Sequence, residues 1–150
     1  MHQLGGAHNV YMTHIRITTA VITALVFAVL PTGIAHAEGR AEDQVNAFFS
    51  QYRKAMEGPH PRDDALEVRE NFMTTGLNCT LDEWATQHGA DPVFRAQNVP
   101  DSWSAAYEGS GMGHSTVILT EYWKNGGHTD VWYQIRLRDL AIDGLEDAPS

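Results

Sequence analysis

One cysteine in 150 residues, Cys79, rules out an internal disulfide framework, so stability has to come from packing. Its neighbours Leu77 and Leu81 place the thiol in the interior, where free cysteines usually lie; an exposed thiol open to an intermolecular bridge is the alternative. No Cys-His-acid arrangement at a recognisable spacing accompanies it, which argues against a catalytic thiol. Asn78-Cys79-Thr80 matches the glycosylation pattern, which matters only in a eukaryotic secretory pathway. Basic residues are scarce as well: 10 Lys and Arg face 19 Asp and Glu, for a formal net charge of −9. Such a surface repels phosphate backbones and argues against nucleic acid as a partner. A cationic partner or plain solubility suits it better. There is no internal repeat, no low-complexity tract and no cofactor motif, so no cofactor is implied. The apolar run near the start is shorter than the ~20 residues that span a bilayer.

That run has another reading. His14-Ile15-Arg16 is weakly basic, Ile17 to Leu30 is apolar apart from threonines, and Pro31-Thr32-Gly33 breaks the segment ahead of Ala35-His36-Ala37. This is the layout of a secretory signal peptide with small residues at the cleavage point. Residues 1–37 are therefore expected to be a leader, with Met12 as an alternative start, and residues 38–150 a single exported domain, extracellular or periplasmic. An uncleaved anchor is the rival. After cleavage no membrane contact is expected, and loss of Arg16 leaves the mature chain one unit more acidic.

Within the mature chain, Val45, Phe48, Phe49, Tyr52 and Met56 recur at helical spacing and form one aromatic stripe, ended by Gly58-Pro59 and Pro61. Glu38 to Asp43 reads as a polar lead-in to that helix. Asp63 or Asp64 caps a shorter helix with Leu66, Phe72 and Met73 as its apolar contacts. Thr80-Leu81-Asp82-Glu83 reads as a capping box that starts a third helix, with Leu81, Trp84 and Ala85 facing in and Gly89 as C-cap. Ala90 to Asp101 is an extended connection, because Asp91-Pro92 and Val99-Pro100 push the residue before each proline out of the helical region. Strands follow: Trp103 to Glu108, then a hairpin from Gly113 to Asp139, then Leu140 to Leu145. Helices first and antiparallel strands after give an α+β domain, with three N-terminal helices packed on one face of a curved antiparallel sheet of three to four strands.

The hairpin decides which side chains share a face. With Asn125-Gly126 as a two-residue type I′ turn, Trp123 opposes His128, Glu121 opposes Asp130, Leu119 opposes Trp132 and Val117 opposes Gln134. One face then carries Trp123, Trp132, Glu121, His128 and Asp130. The drier face, with Ile118, Thr120, Tyr122, Val131, Tyr133 and Ile135, packs on the helices. Glu121, His128 and Asp130 together are a candidate divalent-metal group, set against a hydrated hairpin tip whose acids diverge. A one-residue change of turn reverses the assignment. Trp123 and Trp132, with Trp103, are candidate ligand- or partner-binding residues.

The long aromatic helix (Val45 to Met56), two short helices, the loop Asp91-Pro92-Val93-Phe94-Arg95-Ala96-Gln97-Asn98-Val99-Pro100 with Gln97 and Trp103, and a terminal antiparallel sheet resemble the nuclear transport factor two-like superfamily. The similarity is to its exported bacterial members of unknown function. That resemblance implies a cone-shaped half-barrel with a pocket between sheet and helices, and a homodimer through the open sheet face. The superfamily holds isomerases, cyclases and dehydratases that use a pocket Asp or His, and many members that only bind; fold alone does not choose among them. The expected function is a secreted, non-catalytic binding protein whose partner is a protein or a small apolar ligand. The alternative is a pocket isomerase or dehydratase with Asp91 or His114 as base and Tyr133 as donor.

Overall fold

A computed structural model of the protein describes residues 32–149, with side chains from Glu38 onward. Of the expected leader, residues 1–37, the first 31 lie outside the described residues. Among those described, the order is α1 (Thr32–Met56), α2 (Pro61–Phe72), α3 (Thr75–His88), then β1 (Ser102–Gly111), β2 (His114–Tyr122), β3 (His128–Arg136) and β4 (Ile142–Asp147). The strands form one curved antiparallel sheet in the order β1-β2-β3-β4, so the α+β class and the segregation of helices before strands hold. None of the described helices is long and apolar enough to cross a membrane.

The aromatic stripe of α1 is the centre of the core. Val45, Phe48 and Phe49 are fully buried and Tyr52 nearly so, with Ala41 one turn earlier. Phe48 contacts Tyr52, Phe72 and Tyr133 at ring separations of 5.6, 5.7 and 6.1 Å, and Phe49 contacts Phe94 and Trp103 at 5.5 and 5.2 Å. These aromatic pairs join α1 to the sheet and to the connection that follows α3. Helix α1 begins earlier than the polar lead-in reading allowed and continues through Ala35-His36-Ala37.

The other two helices start differently from expectation. Pro61 sits at the first turn of α2, where its missing N–H is no loss, and Asp63 and Asp64 lie in that turn without capping it. Leu66 is exposed, while Ala65 and Arg69 are the buried residues of α2. Helix α3 is capped by Thr74, whose hydroxyl accepts from Leu77 N, not by Thr80. Thr80 is mid-helix and its hydroxyl donates back to Gly76 O at 3.2 Å. Gly89 closes α3 in the left-handed conformation, as its position predicts. Cys79 is exposed rather than buried. Leu77 and Leu81, four apart, define the inner face of α3, and the residue midway between them projects elsewhere.

Register is the largest correction. The turn is a three-residue loop, Lys124-Asn125-Gly126, in which Trp123 N donates to Gly127 O, Gly126 N donates back to Trp123 O, and Gly126 takes positive φ. This is the type I turn with a left-handed third residue, and it moves the pairing by one from the type I′ expectation. Glu121 opposes Thr129, Leu119 opposes Val131 and Val117 opposes Tyr133. Val131, Tyr133 and Ile135 face the helices as expected, but the β2 residues beside them are Val117, Leu119 and Glu121. Ile118, Thr120 and Tyr122 lie on the other face with His128, Asp130 and Trp132.

Candidate functional site

The register puts a carboxyl where the alternation calls for an apolar side chain. Glu121 follows Val117 and Leu119 on the inner face of β2, is fully buried, and neither carboxyl oxygen has a hydrogen-bond partner. Burial first, and the nearby Asp91 second, push its pKa up to about 9, against the opposing pull of Arg95. Glu121 is therefore a neutral carboxylic acid at physiological pH. Tyr133, on the adjacent strand, is also fully buried with an unpartnered hydroxyl. Burial and then the Glu121 charge hold its pKa well above the ordinary phenol value.

The connection after α3 supplies the rest of this polar interior. Asp91 Oδ1 accepts the backbone N–H of Val93 and of Phe94, both at 2.9 Å, and its Oδ2 accepts the Tyr52 hydroxyl at 2.8 Å. Burial and the Asp91 charge raise the Tyr52 pKa. The Asp-Pro sequence thus forms a self-capped turn, and its carboxylate is anchored to α1. Arg95, at positive φ, sends Nη2 to Leu145 O at 2.9 Å and Nε to within 3.1 Å of Asp147, and lies 4.3 Å over the Trp84 ring. It ties the connection to α3 and β4 at once. Its Nη1 is buried without a partner, and burial lowers its pKa.

A groove of about 730 Å³ opens on this cluster from the helical side. Its walls are mostly apolar: Met56 of α1, Ala65 and Leu66 of α2, Ala85 of α3 and Pro92 of the connection. Its polar lining is Tyr52 and Asp91, which are bonded to each other, with Arg62, Arg69, Asp82 and Gln97. One wall is fixed by Arg69, a buried cation of α2 that donates to Asn78 Oδ1 at 3.0 Å, to Asn78 O at 2.8 Å and to Asp82 at 2.8 Å. Those three bonds hold α2 against α3. Arg69 is not among the residues the sequence singles out; Glu121 is, but as a metal candidate on the opposite sheet face rather than as a buried acid. The signal for Glu121 was its place in the Val117, Leu119, Glu121 phase.

The residues singled out in the sequence are distributed as follows. Asp91 and Tyr133 both belong to the polar interior. His114 does not: it lies on the other sheet face, its Nε2 2.8 Å from Asp143 Oδ2 and its Nδ1 3.2 Å from Met112 O. Glu121 is separated by the sheet from His128 and Asp130, and Asp130 accepts the Thr120 hydroxyl at 2.6 Å. Among the described residues no three or more His, Cys, Asp or Glu side chains converge as metal ligands. The three tryptophans have three different settings. Trp103 is half-buried on the inner face, donating to Asn46 at 3.0 Å; Trp123 packs on the core at the hairpin end; Trp132 lies on the open face opposite Ile118.

No family model and no curated protein matches the sequence. Among solved structures the chain is similar to a protein of unknown function from Bacteroides thetaiotaomicron VPI-5482, with a TM-score of 0.59 and 18% identity, covering 74% of this chain and 92% of that one. This is a likeness of fold, and it defines the class as an α+β protein with helices on a four-stranded antiparallel sheet.

Proposed function

We propose that the protein is an exported, non-catalytic binding protein of the nuclear transport factor two-like kind, a cone-shaped half-barrel that takes a small apolar ligand in the groove between α2 and α3. The observation that carries this is the groove itself: apolar walls, a volume suited to a small molecule, and a polar end at Tyr52 and Asp91 that orients whatever enters. The open sheet face, with Ile118, Tyr122 and Trp132, is the surface we assign to a homodimer. Displacement of an environment-sensitive apolar dye by straight-chain alcohols tests the groove. Wild type is expected to bind the dye and release it as chain length rises. Leu66→Asp, at an exposed position, places a charge on the wall and should weaken binding at least about tenfold. Equal dye binding by the variant would defeat the assignment.

The isomerase or dehydratase reading stands second, favoured by one observation: Glu121 and Tyr133 are two buried O–H groups that could polarise a carbonyl. Against it, both Asp91 oxygens are already occupied, and His114 is on the far side of the sheet. Turnover of a ketone-bearing substrate that is lost in Asp91→Asn and in Tyr133→Phe would reverse the order of the two readings.

A further inference from the structure

At the hairpin end of the sheet a second cleft, of about 630 Å³, lies between the connection before β1 and the β2–β3 turn, and shares no lining residue with the α2–α3 groove. Its lining combines the Trp123 indole and the aliphatic Ala96 and Val99 with the polar Asn98, Asp101, Lys124, Asn125 and Thr129. The indole is held in place. Its Nε1 donates to Thr129 Oγ1 at 3.1 Å, part of the ring packs on the core, and the Trp123 backbone is bonded on both sides to the turn. With the ring N–H used, the indole contributes aromatic carbon to the cleft and no donor.

The polar groups around it are largely unspent. Asp101 is fixed through its backbone N–H to Tyr122 O at 2.9 Å, while its carboxylate meets Lys124 only at 3.8 Å. Asn125 uses Oδ1 to accept Gly127 N at 3.0 Å, which leaves its amide N–H groups free. The exposed Asn98 has no side-chain hydrogen bond among the described residues. The cleft therefore combines one strong acceptor, several amide and ammonium donors, and an anchored indole.

We infer that this cleft is a carbohydrate subsite in which a pyranose ring stacks on Trp123 and its vicinal hydroxyls engage Asp101 with Asn98, Lys124 or Asn125. A sugar ring has an apolar C–H face that suits the electron-rich indole face, and adjacent hydroxyls that each donate and accept. An apolar chain would leave the Asp101 carboxylate and the Asn98 amide desolvated and unpaired, and an anionic ligand would meet the Asp101 charge. A single shallow subsite of this kind binds in the range of about 1–10 mM.

The test is titration of the protein with maltose, cellobiose and chitobiose, following the indole N–H resonance of Trp123, with sorbitol as a control that has hydroxyls but no ring face. At least one disaccharide should shift that resonance saturably with a Kd of about 10 mM or tighter. Asp101→Asn, a surface change that leaves the fold intact, should weaken the interaction about fivefold or more. Trp123→Leu, which keeps an apolar contact with the core, should abolish saccharide broadening of neighbouring amides. Glu70→Gln, at an exposed position of α2 outside both clefts, should leave the saccharide shifts as in wild type. The inference fails if none of the three sugars shifts Trp123 at about 100 mM, if sorbitol acts as well as the sugars, or if Asp101→Asn binds like wild type. A result of this kind leaves the α2–α3 groove reading untouched, because the two clefts share no lining residue and the dye assay is read through Leu66→Asp in the groove.

Discussion

Replacing Glu121 with Gln should stabilise the protein by an amount that grows with pH. In the folded state the carboxyl keeps its proton up to about pH 9, whereas in the unfolded chain it ionises near its ordinary value of 4.5. Between those values the folded state binds more protons than the unfolded state, so stability falls as pH rises, and the loss levels off only above the folded pKa. Each pH unit is worth about 1.4 kcal/mol, so at pH 7 the buried acid costs about 3 kcal/mol. Gln has nearly the same shape and cannot ionise, so Glu121→Gln recovers that amount. For a domain of this size the gain is a Tm increase on the order of 10 °C at pH 7. At pH 4.5, where the acid is half ionised in the unfolded chain and neutral in the folded one, the two proteins should differ by only about 0.4 kcal/mol. Urea midpoints followed by tryptophan fluorescence from pH 4.5 to 8.5 measure this directly. A stability difference that is constant across the range, or that favours wild type at high pH, would refute the placement of Glu121 as a neutral buried acid.

Three further perturbations address the scaffold and its surfaces. Arg69→Met removes the three hydrogen bonds that hold α2 to α3 and leaves the Asn78 carbonyl without its donor; a loss of about 3 kcal/mol by urea denaturation is expected, with the groove loosened. Thr74→Ala should cost about 1 kcal/mol as a lost N-cap, whereas Thr80→Ala, exposed and mid-helix, should be neutral or slightly stabilising; the reverse order in a thermal melt would restore the capping box at Thr80. Trp132→Ala should lower the sedimentation-derived mass if the open sheet face forms a homodimer, and an unchanged value would remove that face as the interface.

The elements most legible in the sequence were those with one consistent period. Val45, Phe48, Phe49 and Tyr52 allow a single helical face, and all four are buried on it. Strand β3 was similarly plain, since Val131, Tyr133 and Ile135 alternate with Asp130, Trp132, Gln134 and Arg136, three of them polar. Strand β2 was not. Val117 and Leu119 on one phase compete with Ile118 and Tyr122 on the other, so the faces depended on the turn alone. Lys124-Asn125-Gly126-Gly127 can supply positive φ for a two-residue or a three-residue loop, and the difference of one residue moved Glu121 from the surface to the core. Cys79 was open to a better reading: with Leu77 and Leu81 four apart on one helical face, a residue midway between them points away. Arg69 had no local signal, because a buried arginine is identified by acceptors that reach it from another helix, here Asn78 and Asp82. The polar interior has the same character. Tyr52, Asp91, Arg95, Glu121 and Tyr133 come from α1, a connection and two strands, and only the fold brings them together.

The central claim is that the groove between α2 and α3 receives a small apolar ligand with its polar end at Tyr52 and Asp91. Mapping amide shifts while the protein is titrated with decanol tests it most directly. The account predicts saturable shifts confined to Tyr52, Leu66, Ala85, Gly89 and Asp91, all lining the groove. Shifts that centre instead on Ile118 and Trp132 of the open sheet face, or no saturable shift at all, would contradict it.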